Sequence, residues 1–222
     1  MLYPYANWRP NVVSKVYPGQ LAPIGVLCHY TAQAEPGVSA ITWAQTQTGA
    51  HFLVHLDGTV DQFVDTSDFV WHAHAASRYY IGIEHVANPV GPAARPPYAY
   101  LNETQLSASA CLVAWLSIAF GFPIARSFGC PFTPGVKAHF DGLEPGCTWN
   151  KDHYDGIWPA DVDWLDADRV DALSYSPWTW ESYAWVTEWY ASWWRDNWPR
   201  DDASYWWYGP TETTSDPYYA NY

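Results

Sequence analysis

Positive charge is scarce in this sequence: 10 Lys and Arg stand against 23 Asp and Glu, giving a net charge of −13 over 222 residues. Such a surface repels a phosphate backbone, so nucleic acid is not expected as a partner. Charge of either sign is low at 15%, while 49% of residues are hydrophobic. A chain of that composition buries a core rather than staying disordered. Cysteine is sparse as well. Cys28, Cys111, Cys130 and Cys147 are too few to staple a chain of this length, and whether they form one or two bridges is left open by their spacing. No apolar run reaches the roughly eighteen residues that a membrane span needs, so none is expected. The opening stretch, Met1-Leu-Tyr-Pro-Tyr-Ala-Asn-Trp-Arg-Pro10, lacks the basic-then-apolar order of a secretory signal. Synthesis in the cytoplasm is expected, with another exit route for any work outside it.

What is present begins with punctuation. Pro4, Pro10 and Pro18 break every pattern in residues 1–20, which read as an irregular arm. Ile24-Gly-Val-Leu-Cys-His-Tyr-Thr31 reads as a buried strand that delivers His29 at its end. Ser39 suits the cap of a short helix over Ala40–Gln47. In residues 50–64 two β-rich runs flank Asp57-Gly58, a dipeptide suited to a hairpin turn. Trp71-His-Ala-His74 reads as a loop, and Tyr79–Val86 as a further strand. Its alternation sets Ile81 and Ile83 against Gly82, Glu84 and Val86. Four prolines make a loop of residues 88–101. Asn102 with Gln105 resembles a capping box for a helix over Glu103–Phe120, which Gly121 and Pro123 end. The order of elements predicts an α/β fold, a central mixed sheet flanked by helices.

Lys137-Ala-His-Phe-Asp-Gly-Leu-Glu-Pro-Gly-Cys147 places His139 and Cys147 eight residues apart across a Gly- and Pro-bearing turn. Both are donors of the kind zinc prefers. With His29 they make two imidazoles and one thiolate, which leaves a fourth position open, as a catalytic zinc site requires. Glu84 is a carboxylate at the centre of an apolar strand, a costly placement unless it has a task. As general base it would take a proton from water and pass it to a leaving amine. Each residue has a structural alternative: His29 a core histidine, Glu84 an ion-pair partner of Arg78 or Arg126, Cys147 a disulfide partner of Cys130. His51, His55, His85 and His153 read as structural, Cys28 and Cys111 as small buried hydrophobes.

The segments Val26-Leu-Cys-His-Tyr-Thr-Ala32, Ala50-His-Phe-Leu-Val-His-Leu-Asp-Gly-Thr-Val60, Trp71-His-Ala73, Ile81-Gly-Ile-Glu84 and Ala138-His-Phe-Asp with Pro145-Gly-Cys147 resemble the zinc-dependent N-acetylmuramoyl-L-alanine amidases. That family includes peptidoglycan recognition proteins and amidase-type phage endolysins. The resemblance runs from about 22 to 152 with motif order preserved. It implies a zinc site in a groove and cleavage of the amide between N-acetylmuramic acid and L-alanine in peptidoglycan. His29, His139 and Cys147 would hold the metal, Glu84 would be the catalytic base, and Trp71 and His72 would contact substrate. Family members often carry Lys or Thr two residues before the third ligand to stabilise the oxyanion. Here that position is Pro145, so His72 or Lys137 would have to reach in. A non-catalytic recognition module and a wall-recycling amidase are the rival readings.

The remainder has a different composition. Residues 1–150 carry 6 basic and 9 acidic side chains, residues 151–222 carry 4 and 14. Of 16 tryptophans, 11 lie at or after residue 158. We therefore divide the chain into a catalytic domain with its arm, 1–172, and a Trp/Tyr-rich helical extension, 173–222. Ser176-Pro177 starts a helix that Pro199 ends. Trp178, Trp185, Trp189 and Trp193 share one face, Trp180, Tyr183, Tyr190, Trp194 and Trp198 the other. A helix apolar on two sides needs two burial partners. Docking on the catalytic domain, with cover from Tyr205–Tyr208, is one account; wall binding or self-association into a homo-oligomer is the other.

Overall fold

Short apolar runs closed by turn residues become the strands of one sheet. The computed structural model describes residues 1–10, 12–29, 31, 48–86, 88–89, 99–100, 102–127, 132–139 and 180–197. The expected helix over Ala40–Gln47 lies outside these, as do Cys130, Pro145, Cys147, His153, Ser176-Pro177 and Tyr205–Tyr208. The sheet comprises β1 (Ala6–Trp8), β2 (Gly25–Cys28), β3 (Phe52–Val54), β4 (Val60–Gln62), β5 (Tyr80–His85) and β8 (Gly135–Ala138), in the order β1-β4-β3-β5-β2-β8. β2 pairs in parallel with β5 and with β8, and β3 in parallel with β5. β4 runs antiparallel to β3, and β1 parallel to β4. This is the mixed α/β sheet expected.

The arm departs from its expectation. Between Pro4 and Pro10 there is room for the three-residue edge strand β1, anchored where Tyr3 N–H donates to Gln62 Oε1 at 2.8 Å and Arg9 N–H to the Gln62 carbonyl at 2.8 Å. Proline forbids only its own donor, so two prolines can bracket an edge strand without breaking it. The loop at 88–101 also closes on a short ladder, β6 (Asn88–Pro89) against β7 (Ala99–Tyr100).

The hairpin turn is longer than Asp57-Gly58 alone suggests. His55 N–H donates to the Thr59 carbonyl at 2.8 Å and Gly58 N–H to the His55 carbonyl at 3.0 Å. Only Gly58 takes positive φ, at 83°; Asp57 instead uses its carboxylate to accept from Thr59 N–H at 2.9 Å. That is a type I turn with a following left-handed glycine, not a two-residue primed turn.

Helix α1 (Glu103–Phe120) has the predicted bounds. Asn102 Oδ1 accepts from Gln105 N–H at 2.9 Å, and Gly121 ends the helix at φ 71°. The reciprocal half of the capping box is absent. The Gln105 side chain is buried and donates to the Val54 and Val86 carbonyls at 3.0 and 2.9 Å, tying the helix start to β3 and to the residue after β5. Contrary to the expectation from hydropathy, α1 is long and apolar enough to cross a membrane by length and composition. Its place in the fold accounts for that: it lies between the sheet and a second helix, so two of its sides are buried.

That second helix is α2 (Trp180–Asn197). Tyr183, Thr187, Ala191 and Trp194 are its buried face, with Trp180 and Tyr190 partly buried beside them. Trp194 packs on the Tyr3 and Tyr5 rings, at centroid distances of 6.2 and 5.5 Å, and its indole N–H donates to the Cys111 carbonyl at 3.3 Å. Tyr190 hydroxyl meets Ser107 at 2.8 Å. Trp185, Trp189 and Trp193 form the exposed stripe, at 71%, 56% and 36%.

Candidate active site

Alternation along the strands sorts every side chain to one of two faces. Val26 and Cys28 of β2, Ile81 and Ile83 of β5, and Val136 and Ala138 of β8 pack in the core with α1. The residues between them point the other way. Cys28 pairs with Ile83 on one side and Ala138 on the other, so the next residues, Glu84, His29 and His139, stand in one row across the carboxyl ends of three parallel strands. Ligands in open α/β sheets bind at such carboxyl ends.

His29 and His139 are buried, with ring centroids 4.5 Å apart and planes at 74°. That spacing follows from the separation of about 4.8 Å between neighbouring strands. His29 continues the ladder, its N–H donating to the Ile83 carbonyl at 2.8 Å. Glu84, half-buried, follows Ile83 in β5.

His72 closes the row from above. Its Nε2–H donates to the Tyr80 carbonyl at 2.9 Å, which leaves Nδ1 as an acceptor, 3.0 Å from His29 Nε2. A carbonyl cannot donate, so this tautomer is fixed. Burial, and after it the neighbouring His29 and His51, hold the His72 imidazole well below the usual range. The ring sits on Gly82, where a Cβ would come within 2.7 Å of its Cγ. Ser77 Oγ accepts from the backbone N–H groups of His72 and Ala73 at 3.0 and 2.7 Å and fixes the loop ahead of the 3₁₀ turn His74–Arg78. Trp71, partly exposed, packs edge-on against Phe69 at 4.8 Å, with the Arg78 guanidinium 5.4 Å from its ring centre.

His51 supports the floor. Its Nε2–H donates to the Asp68 carbonyl at 2.9 Å, and its Nδ1 accepts from Gly82 N–H at 3.0 Å. Fully buried, it is pushed down to about 4. His55 turns elsewhere, 3.2 Å from Asp61.

Two expected helpers have other occupations. Lys137 is fully buried, its Nζ donating to the Ser127 carbonyl at 2.9 Å and lying 5.8 Å from the Tyr80 ring centre. His72, an acceptor at Nδ1, has no proton there to offer an oxyanion. Cys28 is buried and Cys111 half-buried, and neither is in a disulfide; Cys111 accepts from the Tyr3 hydroxyl at 3.4 Å. Among the described residues no three His, Cys, Asp or Glu side chains are grouped to hold an ion by themselves. Two buried imidazoles at this separation nevertheless fit zinc as a partial donor set, and Cys147, the third donor expected, lies outside the described residues.

His85 was legible only as a structural histidine. It is buried on the α1 face of β5, its Nδ1–H donating to the His29 carbonyl at 2.7 Å and its Nε2 lying 2.7 Å from Ser109 Oγ. The strand alternation puts it opposite Glu84, but nothing local announces its partners.

Comparison with known proteins adds the following. Residues 19–155 match the family model described as N-acetylmuramoyl-L-alanine amidase. No curated protein sequence matches the chain. Among solved structures, the hydrolase AmiA of Staphylococcus aureus, solved in complex with its ligand, superposes with a TM-score of 0.56 at 17% identity, over 86% of this chain and 85% of that one. The solution structure of the PlyG catalytic domain gives 0.52 at 13% identity, over 83% and 95%. At these identities the likeness is one of fold.

Proposed function

The chain belongs to the N-acetylmuramoyl-L-alanine amidase family, and on that premise we propose that it hydrolyses the amide between N-acetylmuramic acid and L-alanine in peptidoglycan, with zinc as cofactor. The observation that carries this reading is the row Glu84, His29, His139 at the carboxyl ends of β5, β2 and β8. In this reading His29, His139 and Cys147 hold the ion. What zinc supplies when bound is Lewis acidity toward a carbonyl oxygen and a water of lowered pKa. Glu84 takes the water's proton and delivers it to the departing amine of L-alanine, so that acid and amine products leave balanced. His72, seated on Gly82 and pinned by Tyr80, keeps its acceptor toward His29 and limits how that imidazole can turn. Trp71 offers a ring edge to the sugar–peptide chain. Lys137 gives one of its three ammonium protons to the Ser127 carbonyl.

The setting we favour is that of a phage-type endolysin, made in the cytoplasm and acting on the wall after release, without a membrane span of its own. The exposed face of α2, with Trp185, Trp189 and Trp193, is where a wall or self-association contact would form. The second reading, a module that holds stem peptides without cutting them, is disfavoured by a carboxylate placed beside His29, which a binder does not need.

The deciding experiment measures bound zinc and newly released L-alanine amino termini from purified peptidoglycan, for wild type and Glu84→Ala. About one zinc per chain with release only by the wild type supports the amidase. Zinc without release by the wild type supports the recognition module, and no zinc overturns the site.

A further inference from the structure

Behind the row, on the α1 side of the sheet, runs a second line of polar groups that the proposed reaction does not use. The Tyr183 hydroxyl lies 2.8 Å from Ser109 Oγ, Ser109 Oγ lies 2.7 Å from His85 Nε2, and His85 Nδ1 lies 2.7 Å from the carbonyl oxygen of His29. Tyr183, Ser109 and His85 are all fully buried. They come from three elements distant in sequence: α2, α1 and β5.

The direction of every bond in this line follows from its last member. A carbonyl only accepts, so His85 carries its proton on Nδ1. With the ring neutral, Nε2 is then an acceptor, and Ser109 must donate to it. Having used its one proton, Ser109 can only accept from Tyr183, whose hydroxyl donates. The ring is fully buried, and every atom of the line finds a partner in this one arrangement. The His29 carbonyl also receives the backbone N–H of His85 at 3.0 Å. Two donors from one residue therefore hold the peptide plane that carries the His29 side chain.

We propose that Tyr183 is a positioning residue for the site: through Ser109 and His85 it fixes the His29 peptide, so that the aromatic helix α2 is a part of the catalytic apparatus rather than an attachment to it. The proposal rests on the reading of His29 as a metal ligand. A trio of apolar side chains would fill the same volume. What the polar line adds is one direction and one register, because a chain of hydrogen bonds is satisfied in a single arrangement and costly in any other. Outer hydrogen bonds to a ligand imidazole set how it meets its ion; this line acts one step back, on the main chain that carries the ring.

Three variants test it. Tyr183→Phe keeps the ring and removes the first donor; Ser109→Ala cuts the line in the middle; Ser109→Thr keeps the hydroxyl. The first readout is the NMR carbonyl-carbon shift of His29 together with the ring nitrogen shifts of His85, recorded without metal. The second is zinc affinity by competition titration on variants shown by circular dichroism to be folded. Tyr183→Phe and Ser109→Ala are expected to move the His29 carbonyl signal and to weaken zinc binding about tenfold, the lower end of the range for outer partners of metal ligands. Ser109→Thr is expected to stay within about twofold of wild type on the same scale. Variants that melt earlier but leave both the His29 signal and zinc affinity unchanged would reduce the line to core packing and overturn the proposal. If Ser109→Ala does not fold, Tyr183→Phe decides alone. A wild type that binds no zinc overturns the metal reading of His29 instead, and the carbonyl shift then still decides whether the line reaches that peptide.

Discussion

His72 rests on Gly82 so closely that a methyl group at residue 82 would lie 2.7 Å from the imidazole Cγ. Gly82 lies inside β5, paired with Leu27 in β2, so the backbone cannot retreat without loosening the sheet. Gly82→Ala is therefore expected to push His72 off its Tyr80 anchor. Overpacking of this sort costs about 1–3 kcal/mol, measurable by urea denaturation. Wall-hydrolysing activity should fall further than stability does, because the displaced ring no longer faces His29. Unchanged activity would separate His72 from the site.

The His29–His139 pair predicts a response to metal removal. Zinc at a hundredfold its dissociation constant adds about 2.7 kcal/mol to stability, which for a protein of this size is roughly 5–10 °C in Tm. Chelation should lower the Tm of the wild type by that amount and leave His139→Ala unmoved. A variant that still responds to the chelator would remove His139 from the ligand set.

Acid should destabilise the fold through His51. Its folded pKa of about 4 lies below the unfolded value of about 6.5, so the unfolded chain binds the extra proton. Stability is full above pH 6.5 and is lost as pH falls toward 4, at about 1.4 kcal/mol per pH unit for this one group. Protonation would also set a second donor against Gly82 N–H. Denaturant midpoints between pH 7 and 4.5 measure the slope, and His51→Gln should reduce it by this one group's share, the rest belonging to His85 and His72, which burial also holds low.

The two faces of α2 predict opposite outcomes for the same mutation. Trp194→Ala removes a buried ring packed on Tyr3 and Tyr5 and is expected to cost about 3–5 kcal/mol. Trp185→Ala, at the most exposed ring of the stripe, should stay within about 0.5 kcal/mol. If the stripe serves wall binding or self-association, Trp185→Ala will instead lower peptidoglycan pull-down or shift the sedimentation coefficient, with Tm unmoved.

The features legible in the sequence are those set by near neighbours. Asn102 and Gly121 bound α1 because cap chemistry acts within one turn. The faces of β5 were readable because alternation is strict, and the two faces of α2 because Tyr183 and Trp194 lie eleven residues apart, three helical turns. What escaped depends on distant contacts. The edge strand at Ala6–Trp8 exists only because β4 is there to pair with it. The apolar character of α1 on two sides looks unexceptional until α2 is seen to cover it. Gln105 could be read as a cap reaching back to Asn102, yet the open carbonyls of Val54 and Val86 attract its side chain more strongly. His85 is the sharpest case. Its three partners, His29, Ser109 and, beyond it, Tyr183, come from residues 56, 24 and 98 positions away, and no local pattern encodes that meeting.

The placement of α2 over α1 also has a consequence for synthesis. The nascent chain completes α1 at Phe120, but the residues that cover its outer side, up to Asn197, are not yet made. At about 5–20 residues per second, the ribosome leaves that apolar surface bare for roughly 4–15 s. During this interval the growing polypeptide should be a client for chaperones that recognise exposed hydrophobic helices, and stalling translation once α1 has left the ribosome but before α2 is made should trap it in their company.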